Sequence, residues 1–402
     1  MMSVGENTDH SLDKPGNDES LATRLRRIVI DPIRQSLIGK DEIVEVLAVT
    51  LVAGENAFLL GPPGTGKSAL VQEFAARIRG NAFDYLLTRF TEPSELFGPF
   101  DLRRLRDGDL VTNTDGMLPE ADLVFLDELF NANSAILNGL LLALNERVFR
   151  RGRETTKLPM LMAVGASNQL PDDEALAALY DRFLLRVRCD NVEPSRLSEV
   201  LQAGWQRFSS SIDQQMTIED VRQLQSRINR IDLSDVSQAF LSFVGRLRES
   251  GLPISDRRAV RLQRVIAASA VLSGRERASV SDLWVLQYSW ETPAQIEMLA
   301  AHFDSVRQEY ENTEELAPST DSSSHPMADK GKAPDPNAIA RMVEKIRSNP
   351  DHHESALDAL TLLSARAHWI ADATPREDVL RQIEEARSQI TNAEKQTESG
   401  DG

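Results

Sequence analysis

Twelve residues, Leu59 to Leu70 (LLGPPGTGKSAL), constrain this chain more than any other stretch. An apolar run, NAFLL, leads in, and a helix-like run, SALVQEFAARI, leads out. Between them the backbone must turn from a buried strand into a helix. Gly61, Gly66, Lys67 and Ser68 fit the spacing G-x-x-x-x-G-K-[ST]. Gly64 and Gly66 let the backbone curl so that its N–H groups, Thr65 among them, point inward at an anion. Pro62 and Pro63 stiffen the entry. Ser68 and Ala69 open a helix whose positive end faces the same anion. Lys67 is then placed for the β- and γ-phosphates of a nucleotide such as ATP, and the Ser68 hydroxyl for Mg²⁺.

A second apolar run, DLVFLDE, ends in two carboxylates. At the exposed end of a buried strand beside a phosphate loop, Asp127 can hold a Mg²⁺ shell. Glu128 can orient and activate a water for in-line attack. Asn168 closes another apolar run, LMAVGASN, where a neutral amide can bridge that water and the γ-phosphate.

The rest of the pattern supplies the frame. Short apolar strands are expected at 56–60, 83–90, 121–128 and 160–168, and helices at 41–52, 67–79 and 134–149. Such alternation implies a parallel sheet covered on both faces. Two exposed hairpins are expected, at 101–114 around Asp107-Gly108 and at 148–158 with Gly152 near the tip. Beyond Asn191 every periodic segment is helical: 195–208, 217–230, 234–250, 256–273 and 279–289. The expected organisation is a mobile polar tail (1–20), an α/β core (21–191) and an all-α lid domain (192–291). A helix (292–316), a Pro/Ser/Asp-rich flexible linker (317–337) and a helical C-terminal region with a disordered end (338–402) follow.

Composition narrows the function. The net charge of −17 disfavours non-specific binding to nucleic acid, which needs a basic face. The lone Cys189 excludes an intrachain disulfide and a cysteine-cluster metal site, and fits a reducing cytoplasm. No run approaches the ~18 apolar residues of a membrane span, and the N-terminus lacks the pattern of a signal peptide.

The order GPPGTGKS, LVFLDE, GASN, YDRF resembles an AAA+ ATPase over residues 21–290. TEPSELFGPFDLRRLRDGDLVTNTDGML and DELFNANSAILNGLLLALNERVF resemble the MoxR family more narrowly, and its RavA-like branch in flavour. The resemblance implies a P-loop parallel-sheet core with a helix-2 insert at 101–114 and a pre-sensor-1 hairpin at 148–158. It implies that Asn168 is sensor 1, that Arg182 is an arginine finger reaching the neighbouring subunit's nucleotide, and that Arg257 is the sensor 2 arginine. Ile38 and Gly39 match the segment lining the adenine pocket. Local partners for Arg182 exist in Asp181 and Glu174, and Arg258 and Arg261 stand beside Arg257. A finger acting in trans implies a homo-oligomer, in this family a hexameric ring. The expected activity is ATP-driven, chaperone-like remodelling of a protein substrate, with a separate von Willebrand factor A domain protein as partner. A metal-chelatase motor subunit, a nucleic-acid-stimulated motor and a module that holds nucleotide without hydrolysing it are the alternatives.

Overall fold

The computed structural model describes residues 20–101, 103–104, 111–151, 154–171, 173–207, 212–252, 254–311, 325–329, 335–348, 353–368, 370 and 373–398. All of the expected tail at 1–20 except Ser20, most of the expected linker at 317–337, the tip Asp107-Gly108 and Gly152 lie outside them.

Nine strands occur among the described residues: β1 (Ala57–Leu60), β2 (Ile78–Arg79), β3 (Ala82–Leu86), β4 (Leu123–Asp127), β5 (Val148–Arg151), β6 (Glu154–Lys157), β7 (Met162–Ser167), β8 (Leu185–Arg188) and β9 (Met216–Thr217). Five form one sheet in the order β3-β4-β7-β1-β8, and every neighbouring pair is parallel. β1, β4 and β7 are apolar because helices cover both faces. β3 stands at the edge and is shorter than its expected span of 83–90. The Thr91 hydroxyl accepts the Thr88 N–H at 2.9 Å and bends the chain away after Leu86.

The flanks of the first expected hairpin approach each other antiparallel, with Asp101 N–H on Val111 O at 2.8 Å and Phe100 bridged to Thr112. β5 and β6 pair antiparallel as the second hairpin.

The helix Asp41–Ala53 is buried on all sides from Ile43 onward and ends at Gly54, whose φ is 66°. It packs against β8 and also against the lid helices Ile218–Arg227 and Asp256–Leu272. One continuous apolar core therefore runs from the sheet into the lid. The expected helix at 279–289 forms as 3₁₀ turns over Val280–Tyr288. Ser279 and Asp282 cap its start reciprocally, and Asp282 also binds Ser269 and Arg275. These bonds hold a tight turn beside Trp284 in place of an α-helical one.

Residues 325–329 fall within the stretch read from composition as linker. Here they form a short turn in which His325, Met327 and Ala328 are buried. The His325 ring stacks on Trp284 with centroids 4.7 Å apart. Its Nδ1 accepts the Met327 N–H, which leaves the Nε2 hydrogen facing Glu45, 3.5 Å away. Arg26 donates to Glu45 at 2.7 Å and Arg34 at 3.3 Å. The strap thus closes a buried charge cluster between the sheet-side helix and the lid. Beyond it the helices Pro336–Ser348, His353–Ala367 and Ala373–Glu398 enclose a second, smaller apolar core. That bundle meets the start of the chain where Ser20 and Thr23 bond Asp358.

Burial alone would raise the Glu45 carboxyl, but Arg26, His325 and Arg34 outweigh it and hold the group at about 2. Burial drives His325 down to about 3 against the pull of Glu45. Both groups are depressed on folding, so the unfolded chain takes up protons first. Their stabilisation is complete above the unfolded values of 6.5 and 4.5 and is lost as pH falls toward 3 and 2. The urea midpoint should hold steady near neutrality and decline below pH 6.5, and His325→Phe should flatten the upper part of that decline. Arg26→Met, which leaves Glu45 short of a partner, should cost on the order of 3–5 kcal/mol by the same measurement.

Candidate functional site

The parallel sheet aligns the C-terminal ends of β1, β4 and β7. Leu60 lies level with Ser167, and Gly165 with Leu126. The next residues, Gly61, Glu128 and Asn168, therefore leave the sheet along one edge.

The loop after β1 is held from behind. Gly61 donates its N–H to Ser167 O at 3.1 Å. A Cβ at Gly61 would sit 2.0 Å from the Cys189 carbonyl oxygen, so only glycine allows that approach. Cys189 is buried, and its thiol donates to Thr65 O at 3.5 Å. The Thr65 hydroxyl donates to Pro62 O at 2.9 Å, closing the loop on itself. Gly64 and Gly66 take φ of 80° and 88°, which an L side chain rarely adopts. Pro62, Pro63 and Gly64 are exposed at the crest. The helix Lys67–Arg77 starts at once, with Ser68 and Ala69 in its first turn.

Lys67 is buried and its ammonium donates to the carbonyls of Gly61 and Pro62 at 2.8 and 3.0 Å. Ser68 Oγ donates to Asp127 Oδ2 at 3.2 Å, although the two residues come from different elements. Asp127 Oδ1 accepts the Glu128 N–H at 2.9 Å. Glu128 takes φ of 50°, one of two non-glycine residues with positive φ among those described. Burial and the neighbouring Asp127 push its carboxyl above the usual range, while Lys67 draws it back. A hydroxyl beside a carboxylate is a hard-oxygen pair of the kind Mg²⁺ uses while keeping several waters. No cluster of three or more His, Cys, Asp or Glu suited to a metal exists among the described residues. The donors present therefore fit a nucleotide-borne Mg²⁺ better than a protein-caged ion.

A cavity of about 670 Å³ adjoins the loop. Leu37, Ile38, Gly64 to Gly66, Val192, Leu197 and Val200 are among the residues that line it. Gly39 turns beside Ile38 with φ of 73° and packs on Val192. Its apolar walls suit a flat base, with the phosphate loop at one end. No local signal in the sequence marks Val192, Leu197 or Val200, because only the fold returns the chain after β8 to the loop after β1.

Arg182 and Arg257 lie elsewhere. Arg182 O accepts from the Asn56 amide at 3.2 Å, and Asn56 precedes β1. Arg182 thus sits at the N-terminal end of the sheet, a strand length of about 13 Å or more from the phosphate loop. Burial lowers its guanidinium; Asp181, 3.7 Å away, opposes this, and Arg257 and Arg261 add to it. Arg257 is exposed at the start of Asp256–Leu272 and donates to the Asn145 amide oxygen. The Arg182 side chain is by contrast largely buried, with 20% of it accessible. Arg258 is instead buried against Glu291 and Ser289 O, and Arg261 pairs with Glu55.

Asn56 is a further residue that motif reading missed. Its Nδ2 donates to Leu144 O and Arg182 O at 3.2 Å each. Its Oδ1 accepts from Arg147 at 2.9 Å and from the Ala163 N–H at 3.2 Å.

The comparisons with known proteins bear on this geometry. Residues 23–226 match the domain family described as the MoxR domain in MoxR–vWA–beta-propeller ternary systems. The chain belongs to the MoxR family of AAA+ ATPases. Residues 217–302 match an AAA lid domain. Two uncharacterised proteins of Methanocaldococcus jannaschii are each 35% identical, over 66% and 64% of this chain and 72% and 69% of their own length. The chaperone MoxR1 of Mycobacterium tuberculosis is 25% identical over 46% of this chain and 50% of its own. A crystal structure from Cytophaga hutchinsonii, described as a candidate ATPase, superposes with a TM-score of 0.57 at 18% identity. It covers 71% of this chain and 94% of that one, and shares the fold. Among the described residues no helix is long and apolar enough to cross a membrane.

Gly61→Ala should abolish binding of a fluorescent ATP analogue while leaving the circular dichroism spectrum intact, since the clash is confined to the loop and Cys189. Asn56→Leu should lower stability by about 2–4 kcal/mol in urea unfolding, because it strands buried carbonyls and an N–H at once.

Proposed function

We propose that this MoxR-family chain hydrolyses ATP in a ring of identical subunits and spends that energy remodelling a partner protein complex. The observation that carries the reading is the Ser68–Asp127 contact at 3.2 Å, formed beside Lys67 and Glu128. Lys67, anchored over its loop, neutralises phosphate oxygens. Ser68 and Asp127 would hold the Mg²⁺ that accompanies ATP, which supplies charge neutralisation at the phosphates. Glu128 takes the proton of an attacking water, and its raised carboxyl pKa makes it a stronger base than an ordinary glutamate. Asn168 orients the same water. Ile38 and Gly39 shape the base end.

Arg182 and Arg257 complete the reaction from the neighbouring copy. The place of both at the far end of the sheet, by Asn56 and Asn145, supports this assignment, since a single chain cannot bring both ends together. The ring is a hexamer by family expectation, working in the cytoplasm. The lid and the two hairpins carry the motion to the substrate. A von Willebrand factor A domain protein is the natural co-worker, in keeping with the three-component systems for which the matched domain family is named.

Three measurements test this. Glu128→Gln should lower kcat about 10²–10⁴-fold while retaining ATP affinity. Arg182→Ala should lower kcat by about 10³-fold or more without loss of assembly. In the wild type, the acid limb of kcat against pH should fall above the ordinary glutamate value, because protonation of Glu128 removes the base. Unchanged phosphate release in Glu128→Gln refutes the catalytic assignment.

A further inference from the structure

A second cavity, of about 500 Å³, shares Ser36 and Arg207 with the one beside the phosphate loop. The helix Leu197–Arg207 contributes to both, Ala203 to this one and Val200 and Gly204 to the other. Three further segments meet it here. Arg27 and Pro32 come from the helical run before Ser36, Arg77 ends the helix Lys67–Arg77, and Asp213 and Gln214 precede β9. That last stretch is fixed, because Gln215 donates to Ala76 O at 2.7 Å and β9 pairs with β2.

The charge in this cavity leans toward cations. Arg27, Arg77 and Arg207 line it, against the carboxylate of Asp213. Glu73, largely buried, accepts from Arg207 Nε at 2.6 Å and lies 3.0 Å from Arg77 Nη2. One carboxylate thus holds two guanidiniums in place but can neutralise only one. Arg77 Nε is buried and has no hydrogen-bond partner among the described residues. A buried donor left in this way is destabilising, and an acceptor brought in from solution relieves it. Arg27 donates to a neutral group, Gln214 Oε1, at 2.6 Å.

We propose that this cavity binds a small phosphate ester. A carboxylate offers two coplanar oxygens. A phosphate ester offers three that diverge, which suits three guanidiniums carried by three separate elements. Ile28, Pro32 and Ala203 supply apolar wall for the body of the ligand, and the volume is that of a small-molecule site. The site lies outside the proposed function, and only its effect on nucleotide rests on that reading. A bound phosphate joins Arg207 to Arg27 and Arg77, and so steadies the helix whose Val200 and Gly204 wall the other cavity. Glu73, which holds Arg207, belongs to the helix that begins at Lys67. Phosphate ester and nucleotide therefore favour each other's binding by the same factor.

Calorimetric titration of the full chain tests this, with Mg²⁺ and a non-hydrolysable ATP analogue present to fill the phosphate loop. Glycerol phosphate should bind at one site per chain, inorganic phosphate more weakly, and acetate not at all. Arg27→Gln, at an exposed position, should weaken glycerol phosphate about tenfold. Arg77→Gln should do the same with the circular dichroism spectrum intact. Arg24→Gln, one helical turn from Arg27 and outside the cavity, should change nothing. The fluorescent ATP analogue should bind about fivefold tighter when glycerol phosphate is present. No binding of either phosphate overturns the proposal. So does binding that Arg27→Gln and Arg77→Gln leave unchanged, which marks an adventitious ion only. Acetate that binds as tightly as glycerol phosphate overturns the choice of a phosphate. Binding that the variants abolish, but that leaves the ATP analogue unaffected, supports the site and overturns the coupling. A wild type that binds no ATP analogue sinks the proposed function alone. Glycerol phosphate titrated without the analogue, into wild type and Arg27→Gln, still decides the cavity.

Discussion

Asn56 uses every hydrogen-bonding position of its side chain, and the geometry of the far end of the sheet depends on it. It sits buried just before β1 and binds the end of the helix Ser134–Glu146, the turn at Arg182, the side chain of Arg147 and the start of β7. Its own carbonyl accepts the Leu184 N–H at 3.0 Å. Three segments distant in sequence, around 144–147, 163 and 182–184, are therefore set relative to one strand. That strand runs directly into the phosphate loop, so its two termini hold the two halves of the proposed chemistry. A buried amide of this kind is stabilising only when fully paired, and here pairing is complete.

The helix Ser134–Glu146 connects the same two ends along another line. Asn133 caps its start through two backbone N–H groups, shortly after Glu128. Near its other end Asn145 holds Arg257, and Leu144 meets Asn56. The lid is tied to this end as well. Arg186, stacked over the Tyr180 ring at 4.0 Å, donates to Trp290 O, and Tyr180 donates to Glu291 O at 3.1 Å. Arg182 thus lies between Tyr180 and Arg186, the two residues that bond the end of the lid.

Much of the architecture was legible because its determinants are local. The turn from β1 into the helix Lys67–Arg77 announces itself through glycine, proline and lysine at fixed spacing. Asp127 and Glu128 announce themselves by ending an apolar run. The parallel sheet follows from strands with no polar face. What was not legible depends on non-local packing. Val192 and Leu197 look like any apolar residues until β8 returns them to the loop after β1. Arg257 stands beside Arg258 and Arg261 in the sequence, and only the docking of the lid brings it to Asn145 at the end of Ser134–Glu146. Residues 325–329 look like linker because proline, serine and aspartate surround them. Yet His325 is buried there, stacked on Trp284 and facing Glu45, contacts that local composition does not register.

That strap has a consequence for the order in which the molecule can be made. Glu45 and Arg26 leave the ribosome early, and Trp284 much later, but the group that seals them together arrives only with His325. Until then the nascent chain carries a buried-charge pocket with one wall missing, over a sheet and phosphate loop that are otherwise complete. A chain ended before this point would hold β1 to β9 and still lack part of its interior. The helical bundle that follows is fastened to the rest by a segment that also finishes the core.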